Sequence, residues 1–369
     1  MTVPFLDLGA VHAQLKAGIV ADIEDLIDSG AFTNGPSVRA FEEAFAGYCG
    51  SDHCVGVASG LDALRLGLIA AGIAPGDEVI VPANTFVATF EAVAQAGGVP
   101  VPADASESDY NVDPEAAAAA VNDRTRFLMP VHLYGQLADV RALQALAERH
   151  GLAVLEDACQ AHGATRDGIA AGTADLAAAF SFYPGKNLGA MGDAGALVTR
   201  DGGLAARVRA LREHGQRRKY EHELEGWTAR LDTIQALVLL HKLPLLDAWN
   251  DERRAAARFY LASLEGVGDL RPPLVAADSE PVWHLFVVRT ADPPALAAFL
   301  AERGIGTGRH YPEPPHLSRA YAHLGYTAGD FPVSEALSRE VLSLPIFPGI
   351  SEEQLASVVD AVSDYFRRG

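Results

Sequence analysis

Cysteine is scarce: Cys49, Cys54 and Cys159 are the only three in 369 residues, an odd number with no C-x-x-C pair, which excludes a disulfide framework. A reducing, cytoplasmic setting is the expectation. Long apolar runs are also missing. Nothing approaches the roughly 18 uninterrupted apolar residues of a membrane span, and the opening MTVPFLDLGAVHAQLKAG holds no basic region followed by an apolar stretch. Neither insertion nor export is expected. Positive charge is in deficit, with 29 Lys+Arg against 48 Asp+Glu and a formal net charge of −19. No basic block offers the footprint that a nucleic-acid or anionic-membrane binder needs.

What is present is enough to build a large core. Hydrophobic residues make up 49% and charged residues 21%, which argues against disorder. The length suggests two domains, or one large domain with a smaller one appended.

From residue 54 to 199 short apolar runs alternate with alanine- and leucine-rich stretches of helical spacing, the pattern of a mostly parallel sheet covered by helices. The strand candidates are CVGVA (54–58), EVIVP (78–82), RFLMPVH (126–132), LAVLED (152–157), AAAFSF (177–182) and GALVT (195–199). Between the earlier ones lie helices over 62–71, 85–96 and 137–149, and the alanine tract 116–120 reads as helix. After Arg230 the texture changes to long amphipathic helices that Pro244 interrupts, and a smaller α/β unit follows. The expected division is a large unit over 1–240, N-terminal segment included, and a small one over 241–369.

Three stretches carry chemistry. In Ser181-Phe-Tyr-Pro-Gly-Lys186-Asn-Leu-Gly189 one lysine follows a strand among prolines and glycines. Desolvation there destabilises the ammonium and leaves a nucleophilic amine fit to form a Schiff base; a solvated loop lysine is the alternative. In LAVLEDACQAH, Asp157 ends a buried strand, where a carboxylate needs a cationic partner. Pyridoxal phosphate meets that need, since an acidic partner keeps its ring nitrogen protonated; a helix cap or a structural ion pair would also explain it. In VASGLDAL a turn opens a helix whose free N–H groups suit a phosphate, or are simply capped.

Taken in order with VPFLDL, SGAFTNGP, VPANTFVAT, VHLYGQ, RLDTIQA and RHYPEPPH, these stretches resemble the DegT/DnrJ/EryC1/StrS sugar aminotransferases over nearly the whole chain. The resemblance implies a three-layer α/β/α large domain of the fold type I pyridoxal phosphate transferases, plus a smaller C-terminal α/β domain. It implies that Lys186 forms the Schiff base with the cofactor, Asp157 pairs with the pyridine nitrogen and Gln160 serves the phenolic-oxygen side. Ser181 and the Gly60 and Leu61 amides would hold the phosphate, and Phe86 would stack on the ring. His162, His310 and Tyr311 are assigned to the sugar pocket, the two histidines being equally readable as core residues. A homodimer with shared active sites is implied, with Thr228 and Arg230 supplied by the second subunit. No metal is expected.

Two departures stand out. Many family members have threonine where this chain has Leu61, and an asparagine where it has Thr228, so the cofactor phosphate would rest more on backbone amides and a shorter hydroxyl. The implied reaction moves an amino group from glutamate to a nucleotide-linked keto-sugar. SGLDAL and REHGQRRKYEH look more like members acting at C3 of dTDP-linked deoxysugars than at C4; Lys219, joined by Arg217 or Arg218, could neutralise the diphosphate, and a solvated basic face is the alternative. Two rivals are a sugar deoxygenase or dehydratase that uses the pyridoxamine form, a branch that in the family replaces the lysine with histidine, and a non-catalytic cofactor-binding regulator.

Overall fold

The computed structural model describes residues 2–173 and 175–368. Seven strands form the main sheet: β1 (His53–Val57), β2 (Glu78–Pro82), β3 (Val99–Ala103), β4 (Thr125–Leu128), β5 (Ala153–Asp157), β6 (Ala177–Ser181) and β7 (Gly195–Thr199). Their order is β1-β7-β6-β5-β4-β2-β3. Pairs β2–β3, β2–β4, β4–β5 and β5–β6 are parallel, and β7 runs against both of its neighbours. The sheet is thus mostly parallel, as the alternating pattern predicted.

Alternate residues of one strand enter different cores. Ala177, Ala179 and Leu197 join the cluster of Val57, Leu64 and Phe90, whereas Ala178, Phe180 and Val198 join Phe41, Phe45 and Leu239. Both faces are therefore covered, which is why the strands read as continuous apolar runs rather than alternating ones. Close helix packing needs small residues beneath it. A Cβ on Gly67 would lie 2.7 Å from Leu197 Cδ1, so the helix Gly60–Ala71 can press against the sheet only because that position is glycine.

Two elements differ from expectation, and Pro244 breaks the helices as expected. Strand β3, VPVPA, was not anticipated because two prolines break a ladder; it is an edge strand bonded only to β2, where missing N–H groups are tolerated. The 126–132 run is a strand only to Leu128, and Pro130 lies just beyond its end. Pro244 sits in a 3-10 turn, Leu243–Leu245, that joins the helices Thr233–Lys242 and Leu246–Ser263.

The C-terminal part is built on an antiparallel pair, β8 (Phe286–Arg289) and β9 (Val341–Leu344). Its core holds Tyr260, Phe286, Leu300, Ile305 and Val358, and also Val3, which bridges Ile305. The first residues of the chain thus pack with the C-terminal unit rather than with the sheet. Among the described residues, no helix is long and apolar enough to cross a membrane.

Candidate active site

Parallel α/β sheets bind ligands outside the carboxyl ends of their strands. Here Asp157 ends β5 and Ser181 ends β6. The helix Gly60–Ala71 starts beside them: a Cβ on Gly60 would lie 2.6 Å from Cys159 Sγ and 2.7 Å from Ser181 Cβ. These ends open into a cavity of about 540 Å³ lined by Lys186, Asp157, Gln160, Ser181, Gly60, Leu61, Phe86, His310 and Tyr311.

Lys186 sits on a tightly tied loop. Its amide donates to Tyr183 O at 2.8 Å, Phe182 and Ala194 pair at 2.8 Å, and Ala190 N donates to Phe182 O at 2.8 Å. The buried Lys242 Nζ donates to Gly189 O at 2.5 Å. Burial lowers the Lys186 pKa below the usual lysine value, against an opposing pull from Cys159 and Asp157. An amine set this way is closer to its neutral, nucleophilic form than an exposed one.

Asp157 is only 6% exposed, yet its two oxygens meet only neutral donors. Thr89 Oγ1 donates to Oδ2 at 2.9 Å and the Cys159 amide donates to Oδ1 at 3.2 Å. Among the described residues no lysine, arginine or histidine pairs with it. A buried carboxylate without a cation is costly, so the cavity side of Asp157 calls for a cationic ligand.

Ser59 caps the helix, its hydroxyl accepting from Asp62 N at 3.0 Å, and leaves the first-turn amides of Gly60 and Leu61 without intrahelical acceptors. Gln160 Oε1 accepts from Tyr134 N at 2.7 Å, and its Nε2 donates to Tyr311 Oη at 3.1 Å. Phe86 is half exposed, with its ring 5.2 Å from that of Tyr311. His310 pairs Nδ1 with Ser343 Oγ at 2.8 Å and stacks on Phe5. Burial first, then the Lys186 charge, pushes its pKa down to about 4.

Four expected residues lie elsewhere in the chain. His162 is fully buried behind the cavity, its ring 5.3 Å from Phe180 and 5.7 Å from Phe182. Burial pushes its pKa down to about 3, and it does not line the cavity, so the core alternative holds for it. Thr228 bonds His214 Nε2 at 3.0 Å, and Arg230 pairs with Glu213 at 2.8 Å. Lys219 lies against the ring of Tyr220 in an exposed hairpin. None of these three lines the cavity of its own chain.

Other residues went unnoticed in the sequence. Thr89 and Thr85 form a hydroxyl chain to Asp157, with 2.9 Å between their oxygens. His284, Arg253 and Phe5 close the cavity from the C-terminal unit and the N-terminal segment. The threonines were visible within TFVAT, whose spacing of four brings their side chains together at the start of a helix. His284 lies within an apolar strand-like run, PVWHLFVV, that carries no polar pattern.

Among the described residues, the cavity therefore offers an unpaired amine, a buried carboxylate lacking a cation, and free amides at a helix N-terminus. That donor set fits pyridoxal phosphate, with its aldehyde, its basic ring nitrogen and its phosphate. Fold and site together define the class: an aminotransferase of the pyridoxal phosphate transferase architecture. Residues 13–363 match the DegT/DnrJ/EryC1/StrS aminotransferase family, and the chain belongs to it.

Among its relatives, dTDP-3-amino-3,4,6-trideoxy-alpha-D-glucose transaminase of Streptomyces venezuelae is 50% identical over 366 residues, covering 99% of this chain and 97% of that one. The erythromycin biosynthesis sensory transduction protein EryC1 of Saccharopolyspora erythraea is 48% identical, covering 97% and 98%. The crystal structure of S. venezuelae DesV in complex with a ketimine intermediate superposes with a TM-score of 0.98 at 49% identity, covering 100% of this chain and 99% of that one.

Proposed function

We propose that this protein moves an amino group from glutamate to C3 of a dTDP-linked keto-deoxysugar, using pyridoxal phosphate. The observation that carries the reading is that Lys186 and Asp157, 29 positions apart, face one cavity with no other charged partner for either among the described residues. When bound, the cofactor supplies an electron sink for the carbanion formed at the donor's α-carbon.

The chain's own groups do the rest. Lys186 Nζ would hold the cofactor, and as a free amine it would take the proton from the donor α-carbon and return it on the other side of the transfer. General acid–base help of this kind contributes about 10²- to 10⁴-fold. Asp157 keeps the ring nitrogen protonated, and Thr89 keeps Asp157 in place. The Gly60 and Leu61 amides and the Ser181 hydroxyl hold the phosphate, Gln160 orients the ring through its phenolic oxygen, and Phe86 covers the ring face. His310 and Tyr311 line the sugar side. The retained Lys186 speaks against the deoxygenase branch, and the intact cavity against a purely regulatory role.

The working unit in this reading is a homodimer. Thr228, Arg230 and the Lys219 hairpin lie outside their own chain's cavity and serve the partner's, reaching its phosphate and nucleotide diphosphate. Each subunit works as two units, 1–240 and 241–369, with the first residues of the chain packed against the second unit and the site where the two meet.

Product analysis by NMR after incubation with glutamate and either the 3-oxo or the 4-oxo dTDP-sugar tests the reading. The expected product is the 3-amino sugar. Amination of the 4-oxo compound alone would overturn the regiochemistry, and multiple turnovers by Lys186→Ala would overturn the lysine's role.

A further inference from the structure

The wall facing the Lys186 loop is a short segment, residues 282–285, held from several directions. Val282 N donates to Gly135 O at 2.9 Å, and Leu285 N donates to Tyr134 O at 3.3 Å. Trp283 lies in the left-handed region at φ 47°, where a bulky side chain is strained. The buried Arg253 Nη1 donates to the carbonyls of Trp283 at 3.2 Å, His284 at 3.4 Å and Ile346 at 3.0 Å. So much tethering of a strained stretch fixes the one polar side chain it points at the cavity, His284.

The proton position on His284 follows from its neighbours. Asn187, next to Lys186 in sequence and buried, gives both of its amide hydrogens away: Nδ2 donates to Val282 O at 2.9 Å and to Asn250 Oδ1 at 2.9 Å. Asn250 is fixed in turn because its Nδ2 donates to His162 O at 2.8 Å. A backbone carbonyl only accepts, so the Asn187 amide cannot be flipped, and its Oδ1 faces His284 Nδ1 at 3.2 Å. Nδ1 therefore carries the hydrogen and Nε2 presents a lone pair, with no protein partner among the described residues. Burial first, then the Lys186 and Arg253 charges, lowers the His284 pKa well below the usual histidine value. The ring thus stays neutral and acts as an acceptor, not as a base.

An acceptor-only nitrogen repels the carboxylates of an amino-acid donor and suits a hydroxyl. We propose that His284 is a specificity-determining residue: its Nε2 accepts a hydrogen bond from a hydroxyl of the bound sugar, so the site selects sugars that carry a donor at that place. This rests on the nucleotide-sugar reading above and adds to it the residue that senses the substrate's hydroxyl pattern.

The test compares wild type, His284→Leu and His284→Gln. Each half-reaction is followed separately, with glutamate and with the dTDP-keto-sugar or its singly deoxygenated analogues. Calorimetry measures binding of the dTDP-amino sugar to cofactor-free protein. Nitrogen-15 NMR of wild type reads the His284 tautomer.

Wild type is expected to favour the hydroxylated sugar over one analogue by about tenfold or more. His284→Leu should lose that preference, bind the amino sugar about tenfold more weakly, and confine its loss to the sugar half-reaction. His284→Gln, which can offer an oxygen near the Nε2 position, should recover part of it. Unchanged discrimination in His284→Leu, equal losses in both half-reactions, or an Nε2–H tautomer would each overturn the proposal. If His284→Leu does not fold, the tautomer and the His284→Gln discrimination decide. A wild-type protein that takes no dTDP-sugar at all overturns the underlying reading, and this inference with it, even where the tautomer is as stated.

Discussion

Thr89 Oγ1 lies 2.9 Å from Asp157 Oδ2, and both side chains are buried. Because the carboxylate can only accept, the Thr89 hydroxyl spends its hydrogen there, and Thr85, 2.9 Å away, must donate to the Thr89 oxygen. Two neutral hydroxyls in series thus hold the carboxylate proposed to face the cofactor nitrogen, without a positive charge that would compete with it.

Thr89→Val keeps the shape and removes that hydrogen bond. The oxygen left without its donor should cost about 1–3 kcal/mol of stability in the cofactor-free protein, read from chemical denaturation. Cofactor affinity, read by fluorescence titration, should fall as Asp157 loses its fixed position. Thr85→Val, one step further from the carboxylate, should show the smaller effect on affinity. Equal affinities in wild type and Thr89→Val would mean that the Cys159 amide alone positions Asp157.

The residues proposed to hold a ligand by backbone or by strand ends sit at places the sequence marks. Lys186, Asp157 and the Ser59–Gly60 turn each sit where an apolar run gives way to polar or small residues, and the parallel-sheet pattern places such points on one edge. His162 was ambiguous for the opposite reason. It follows Asp157 by five residues, but the turn after β5 carries its side chain back under the sheet between Phe180 and Phe182. Strand β3 was hidden by its prolines, and His284 by distance: it reaches the cavity from 98 positions beyond Lys186, a packing relationship with no local pattern.

His162 also sets an acid limit on the fold. Its folded pKa is about 3 against an ordinary 6.5, and that of His310 is about 4, so the unfolded chain binds more protons than the folded one below pH 6.5. Their contribution is fully present above pH 6.5 and is lost as pH falls towards the folded values. Each should cost about 1.4 kcal/mol per pH unit through that window. His162→Leu removes the titrating ring while keeping the site apolar. Its stability, followed by denaturation between pH 7 and 4.5, should fall less steeply than that of wild type. Parallel pH profiles would show that the buried ring is not what the acid form has to expose.

Sharing of sites between subunits gives the last expectation. Arg230 lies outside its own cavity, paired to Glu213 at 2.8 Å, whereas Lys186 lies inside. If each site takes Lys186 from one chain and Arg230 from the other, Lys186→Ala and Arg230→Ala homodimers are each impaired at both sites. In a mixed dimer, one site carries both substitutions and the other carries neither. Co-refolding the two inactive variants should therefore restore activity well above the sum of the separate proteins, in proportion to the mixed species seen by native mass spectrometry. Were Arg230 to serve its own chain, every site in the mixed dimer would retain one defect and no activity would return. Sedimentation showing a fully active monomer would exclude the shared site altogether.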